Sequence, residues 1–261
     1  MRIHTRAIIL HTTKYGETSL IVRTYTESSG ICSFIVGGVR GGGKSRFPAG
    51  VFQPLNLVEV VASGKPGTTL PRITEIQLSP PLGYLHQDLV KGTIAMFLSE
   101  VLNRSIKEEE PSPSLFGFLH HAILMLDTEP NYVARFHLAF MVQLSKHLGF
   151  YPHGNYSEQG FFDLQEGVFT QHRPNHVYYL DGPVARSLWL LMYTPFGDLS
   201  DLDVDAMTCF IIPESTRMAP LWKSGLFCLV RYMYVATRLF PSCSDKYEAS
   251  VSSASIMSLA Q

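Results

Sequence analysis

Residues 20–36, LIVRTYTESSGICSFIV, decide the fold of the N-terminal region. They contain two short runs rich in β-branched and aromatic residues, Leu20–Thr26 and Ile31–Val36, on either side of a Ser-Ser-Gly turn. That pattern is typical of a β-hairpin. Three more runs of the same kind flank it, at Thr5–Thr12, Leu55–Ala62 and Thr69–Leu78. Five strands in so short a segment, with a long glycine-rich loop after the third, predict a small barrel of the OB type.

Beyond Tyr84 the apolar residues recur at helical spacing instead. We predict helices over Val90–Ser105, Ser114–Leu126, Tyr132–Leu148, Pro183–Tyr193 and Leu221–Leu239. Residues 150–180 lack this period, which predicts a small irregular lobe or a short hairpin. The expected fold class is α+β, with an OB-fold barrel at residues 1–80, a helical domain at 81–241 and a disordered Ser-rich tail at 242–261.

Composition excludes several classes of protein. The 261 residues are 46% hydrophobic and 16% charged, which excludes a wholly disordered chain. The cysteines at positions 32, 209, 228 and 243 form no CxxC pair and are too sparse for a disulfide framework. The first apolar run is too short for a signal peptide, and charges interrupt residues 221–240. We therefore expect a cytoplasmic protein that does not enter the membrane.

The overall charge of -1 conceals an asymmetry. Residues 1–80 contain nine Lys and Arg against four acids, a net charge of +5, while the other 181 residues have 12 against 18, a net charge of −6. A basic module joined to an acidic remainder favours a polyanionic ligand such as nucleic acid, although a chance distribution of surface charge is the simpler explanation.

One motif raises an alternative function. Residues 38–45, GVRGGGKS, match the phosphate-binding P-loop pattern, and the run that ends at Asp127 resembles a segment that holds Mg²⁺. A P-loop needs a helix that begins at its lysine, so that the helix N-terminus faces the phosphates. Pro48, Gly50 and Pro54 leave no room for such a helix. The sequence therefore disfavours a P-loop NTPase but keeps it as the alternative.

Several segments resemble the bacterial recombination mediator RecO family. The N-terminal ones are KYGET at 14–18, GGVR at 37–40, KSRF at 44–47 and QPL at 53–55. PSPSLF at 111–116 and LGFYP at 148–152 resemble its helical domain. The resemblance runs from about residue 5 to residue 155, with the motifs in order.

The resemblance implies an OB fold, a helical C-terminal domain and a role in the RecF pathway of DNA repair and recombination. It implies binding to single- and double-stranded DNA, annealing of complementary strands, and loading of RecA, together with RecR, onto single strands coated with single-strand-binding protein (SSB). It implies no nucleotide hydrolysis, so we assign no catalytic residues and no cofactor, and it places the protein at the nucleoid.

One departure from the family concerns zinc. Many members have a four-Cys site just after the Gly-Phe-x-Pro motif, whereas residues 150–180 contain no cysteine here. His153, His172 and His176 lie in this segment, but nitrogen ligands without paired thiolates do not favour a structural Zn²⁺. We expect no metal.

The expected DNA contacts are cations that follow phosphates and aromatic rings on which bases stack. The candidate DNA-binding residues are Lys14, Arg23, Arg40, Lys44, Arg46, Phe47, Lys65 and Arg72. Tyr15, Tyr25 and Phe34 are further stacking candidates, although the alternating pattern around Phe34 favours the core.

A second candidate surface lies on the last predicted helix. Lys223, Arg231 and Arg238 fall in one sector beside Trp222, where they could bind an acidic peptide such as the C-terminal tail of SSB. The sequence favours the plainer interpretation, an ordinary solvated helix face. A structural adaptor that binds only proteins is a third possible class of function.

Overall fold

The computed structural model describes residues 2–39, 46–64, 70–107, 109–128, 133–199 and 202. It divides into two compact units, Met1–Val133 and Ala134–Gln261. The first unit contains five strands and two helices, so α1 and α2 group with the barrel. The domain limits at residues 80 and 241 stay a prediction. The predicted helix at Leu221–Leu239 and the tail after Pro241 lie outside the described residues.

Five strands form a closed barrel in the order β1-β2-β3-β5-β4, which confirms the predicted OB-type barrel. Their bounds are β1 Arg2–Tyr15, β2 Ser19–Thr26, β3 Gly30–Val36, β4 Leu57–Ser63 and β5 Arg72–Leu78. The long β1 closes the barrel because its first half pairs with β4 and its second half with β2. All pairings are antiparallel except the one between β3 and β5.

The barrel core consists of alternate residues of the strands together with side chains of the β3–β4 connection. Val22, Phe34 and Val60 are fully buried. Phe47 and Phe52 belong to the same cluster, with Phe52 in a single turn of 3-10 helix at Ala49–Phe52. The connection therefore contributes apolar side chains to the core in addition to joining two strands.

Helix α1 spans Leu89–Ser105 and packs against β1, and α2 spans Pro113–Thr128. The Asp88 carboxylate caps α1 by accepting hydrogen bonds from Val90 N and Lys91 N. On the barrel, Tyr25 stacks on Phe116 of α2, with ring centroids 6.3 Å apart. This contact covers part of the outer surface of the barrel.

The second unit contains α3 Val133–His147, a three-stranded sheet and α4 Gly182–Tyr193. The sheet consists of β6 Phe161–Asp163, β7 Val168–Thr170 and β8 Tyr179–Asp181 in the order β7-β6-β8. The lobe that lacked a sequence period is thus a small sheet with long connections. Across the described part of the chain, no helix has the length and apolar character needed to span a membrane.

Candidate nucleic-acid interface

Several connections of the barrel meet at one end. Val39 N donates to Thr18 O at 3.1 Å, which ties the β3–β4 loop to the β1–β2 turn. Ile35 N donates to Pro71 O at 2.9 Å, which ties β3 to the residues before β5. We call this region the loop end of the barrel, and it comprises residues 14–19, 37–39, 46–47, 63–64 and 70–72. Backbone contacts therefore bring together segments that are more than 50 residues apart in the chain.

Arg72 begins β5 and extends across the loop end. A Cβ built on Gly37 would lie 2.5 Å from Arg72 Nη2 and 3.7 Å from Ser19 Oγ. The absent side chain at Gly37 therefore leaves the space that the guanidinium occupies. Arg72 has no ion-pair partner among the described residues, so its charge stays available to an anion.

Arg46 lies where the β3–β4 loop returns to the barrel, and it is exposed. Its Nη2 donates to Thr74 O at 2.7 Å, and its guanidinium lies over the ring of Phe47, 5.2 Å from the centroid. These contacts hold the side chain in place but use few of its five N–H donors. The remaining donors can reach phosphate oxygens.

Strand register defines one continuous surface, which we call the outer face. Cross-strand partners share a side of a sheet, and successive residues alternate between sides. Val22 and Phe34 point into the core, so their neighbours Arg23 and Ser33, which pair with each other, point outward. The outer face contains His11 and Tyr15 of β1, Ile21 and Arg23 of β2, Ser33 and Ile35 of β3, and Arg72 of β5.

Arg23 is the central cation of this face. It is half-buried, and it lies between His11 on β1 and Ser33 on β3. Its buried Nε has no hydrogen-bond partner among the described residues. Because buried donors are almost always satisfied, this N–H suits an acceptor supplied by a ligand or by solvent.

Other barrel cations are already neutralised. Arg2 forms an ion pair with Glu75 at 3.0 Å, and Arg6 Nε donates to Glu27 Oε2 at 2.7 Å. The hydrogen bond from Arg6 holds the pKa of Glu27 below its ordinary value. Within the loop end as defined above, Glu17 is the one acid. The positive charge that has no carboxylate partner therefore concentrates at the loop end and on the outer face.

The predicted DNA-binding residues fall into three groups. Lys14, Arg23, Arg46 and Arg72 lie at the loop end or on the outer face, with Lys14 exposed beside the β1–β2 turn. Phe47 belongs to the core, as described next. Predicted contacts outside the described residues are Arg40, Lys44 and Lys65, together with the partner-binding set Trp222, Lys223, Arg231 and Arg238.

Two aromatic candidates need correction, because neither Tyr25 nor Phe47 presents a ring to a base. Tyr25 is 1% exposed because it lies under Phe116, and Phe47 is 8% exposed because its loop folds into the core. Phe34 is fully buried, as the alternating pattern indicated. Tyr15, in contrast, is 52% exposed at the end of β1.

The second part of the suspected nucleotide site has a structural role instead. Asp127 lies in α2, not after a strand, and its carboxylate is buried. It accepts backbone hydrogen bonds from Gly83 at 3.0 Å, Tyr84 at 2.8 Å and Leu85 at 2.7 Å. The oxygens that a Mg²⁺ ion would need are thus committed to the segment between the barrel and α1. The 3-10 turn at Ala49–Phe52 is also far shorter than the helix that follows a P-loop.

A polar network that no sequence pattern predicted joins the barrel to its helices. His86 Nε2 lies 2.9 Å from Asn56 Oδ1, and Asn56 Nδ2 donates to Gly50 O and Val51 O. Burial lowers the pKa of His86. Nearby, Lys91 Nζ donates to Asp127 O at 2.6 Å. These polar residues are far apart in the chain, and no spacing pattern connects them.

The histidines of the small sheet do not converge. His176 Nε2 lies 3.2 Å from Asp163 Oδ2, and Tyr178 N donates to His176 Nδ1. His153 and His172 are exposed on other segments. Among the residues that the structure describes, no group of three or more His, Cys, Asp or Glu side chains could hold a metal ion. The lobe is stabilised instead by side-chain contacts such as the stack of Tyr156 on Trp189, with centroids 5.6 Å apart.

Comparison with known proteins covers most of the chain. The family model described as the N terminal part of recombination protein O matches residues 1–81, and the one for its C terminal part matches residues 86–210. The DNA repair protein RecO of Bacteroides fragilis is 42% identical over 72% of this chain and 78% of its own length. The protein of the same name from Flavobacterium psychrophilum is 39% identical over 65% and 71%, and that from Porphyromonas gingivalis is 32% identical over 83% and 87%. These matches show that the chain belongs to the RecO family of DNA repair proteins.

Proposed function

We propose that the protein binds single- and double-stranded DNA through the loop end and outer face of its barrel and anneals complementary strands. With RecR, it would help RecA load onto SSB-coated single strands in the RecF pathway, in the cytoplasm at the nucleoid. The observation that carries the proposal is the convergence of Lys14, Arg46 and Arg72 at one end of the barrel, without carboxylate partners among the described residues. The family match supports the repair role.

The proposed mechanism is electrostatic. Cations that contact phosphates release counterions from DNA, which supplies affinity without sequence readout. Annealing needs two strands whose mutual repulsion is screened, and it needs no acid, base or nucleophile. We therefore propose that the protein acts as a binding protein and not as an enzyme.

The charges in the loop segments outside the described residues support the same proposal. Residues 40–45 and 65–69 add Arg40, Lys44 and Lys65 and no acid. The β3–β4 loop leaves the barrel at Gly38 and Val39 and returns at Arg46. The backbone N–H of Arg46 donates a hydrogen bond to Gly38 O at 3.3 Å. Both ends of this loop thus belong to the loop end. The partner surface for the SSB tail at Trp222, Lys223, Arg231 and Arg238 rests on sequence alone.

Fluorescence anisotropy of a labelled mixed-sequence single strand tests the proposal against the P-loop alternative. We expect salt-dependent binding that Mg-ATP does not change, because a single 3-10 turn instead of a helix follows the glycine-rich loop and the Asp127 carboxylate is committed to backbone hydrogen bonds. Lys44→Ala should weaken DNA binding at low salt and leave the response to Mg-ATP unchanged. DNA binding that requires Mg-ATP and is lost in Lys44→Ala would favour the NTPase, while the absence of DNA binding at low salt would refute the proposal.

A further inference from the structure

The barrel offers very few aromatic surfaces to DNA. Residues 1–80 contain five aromatic side chains, Tyr15, Tyr25, Phe34, Phe47 and Phe52. Four of them are at most 8% exposed, and Tyr15 is 52% exposed. The undescribed loop segments 40–45 and 65–69 contain no aromatic residue. Tyr15 is thus the one exposed Phe or Tyr ring among the described barrel residues, and it offers a larger stacking surface than the exposed imidazoles of His4 and His11.

Tyr15 also occupies a defined position beside the unpaired cations. It lies opposite Ser19 in the β1–β2 register, on the outer face that contains Arg23 and Arg72. A Cβ built on Gly37 would lie 3.7 Å from Ser19 Oγ and 2.5 Å from Arg72 Nη2, so the Ser19 and Arg72 side chains both lie close to Gly37. Lys14 precedes Tyr15 and is exposed. A phosphate on Arg72 would therefore place an adjoining unpaired base close to the Tyr15 ring.

The turn that follows Tyr15 is held in place. Gly16 has a φ of 59°, a left-handed conformation that glycine adopts without strain. Thr18 O accepts the hydrogen bond from Val39 N, which fixes the turn against the β3–β4 loop. The ring consequently stands on a supported hairpin instead of a free loop.

We propose that Tyr15 determines the preference of this protein for single strands over duplex. This inference rests on the proposed DNA-binding function and deepens it. Bases in a duplex are stacked on one another and present no free face, whereas a single strand can place one base on the phenol ring. Contacts through Lys14, Arg23, Arg46 and Arg72 serve both kinds of DNA, because both carry phosphates.

The test compares wild type, Tyr15→Ala, Tyr15→Phe and Tyr193→Ala on three labelled ligands of equal length: a single strand, a duplex and an abasic single strand. Tyr193 is the matched control, since it is a tyrosine that is 60% exposed on α4 and belongs to neither the loop end nor the outer face. We expect Tyr15→Ala to weaken single-strand binding at least about fivefold, the lower limit for one stacked base, and to change duplex binding less than twofold. Tyr15→Phe and Tyr193→Ala should behave like wild type, and Tyr15→Ala should lose no affinity for the abasic strand.

Equal weakening of single-strand and duplex binding by Tyr15→Ala would overturn the inference, as would an unchanged affinity for both. In either case wild-type binding to single strands would leave the proposed function standing. If wild type binds none of the three ligands at low salt, the proposed function itself fails. The two failures are therefore distinguishable within one set of titrations.

Discussion

Replacing Asp127 by Ala should destabilise the first unit by about 2–4 kcal/mol, because a buried carboxylate that accepts backbone hydrogen bonds is lost. The carboxylate accepts three backbone hydrogen bonds from residues 83–85 and is 6% exposed. Hydrogen bonds to charged acceptors contribute about 1.5–3 kcal/mol each, but their losses are not additive. Alanine leaves one buried and two partly buried backbone N–H groups without this acceptor, so the segment between the barrel and α1 loses its attachment to α2.

Urea unfolding measures this loss. Asp88→Ala is the matched control, because it removes a capping carboxylate from α1 and should cost only about 1 kcal/mol. Asp127→Asn keeps one acceptor oxygen and should fall between the two, which provides a measurable value if the alanine variant does not fold. An Asp127→Asn variant as stable as wild type would contradict the account of this attachment.

Acidification should destabilise the second unit through His137 on α3. This side chain is 3% exposed, and burial lowers its pKa to about 4. In the unfolded chain a histidine has a pKa of about 6.5. Between these values the unfolded state binds a proton that the folded state does not, so unfolding becomes more favourable as the pH falls. The stabilisation that neutral His137 contributes is fully present above the pKa of the unfolded chain. It is lost progressively as the pH falls to the pKa of the folded protein, by about 3 kcal/mol in total.

The measurement is the free energy of unfolding in urea at pH 7 and at pH 5, where about 2 kcal/mol of this contribution should be lost. Other carboxylates and histidines also titrate in this range, so the decisive quantity is the difference between wild type and His137→Leu. The variant should show a shallower pH dependence, whatever its stability at pH 7. Met141→Leu, a volume-conserving change of a buried residue of the same helix that does not ionise, should retain the wild-type dependence. Parallel pH profiles for wild type and His137→Leu would show that His137 is not the group responsible.

The helices and most barrel strands follow closely from the sequence because they keep a clear period, whereas β1 extends three residues beyond its predicted run at each end. Alternation and turn residues predicted β2 and β3 to within one residue at each end. Proline and the helical spacing located α1 to α4 with similar accuracy. Only the number of strands and the loop lengths indicated a closed barrel. The parallel pairing of Ile35 with Arg72, which closes it, leaves no local pattern in the sequence.

The candidate site was predicted less completely, because burial depends on residues distant in the chain. Tyr25 has the outward position of an exposed ring, but Phe116, 91 residues later, covers it. Phe47 lies between a glycine-rich segment and a proline, which is typical of an exposed loop, yet the loop folds into the barrel core. The β6–β8 strands are three residues long, too short to show a period.

The cationic positions could be predicted because charge alone identifies them. What the sequence could not supply was their pairing. Arg2 and Arg6 are neutralised by Glu75 and Glu27, whereas Arg23 and Arg72 have no such partner among the described residues. This distinction separates cations that hold the barrel together from those that remain available to DNA.

DNA binding at the loop end is tested by the salt dependence of single-strand binding in two double variants of equal charge. Arg46→Ala with Arg72→Ala removes two unpaired cations from the loop end. Arg104→Ala with Lys107→Ala removes two exposed cations, one in the last turn of α1 and one two residues after the helix ends. We expect the slope of log K against log salt to flatten by about 1.4 in the first variant, because two phosphate contacts are lost, and to stay unchanged in the second. Equal slopes for the two variants would contradict the assignment of the loop end as the DNA-binding surface.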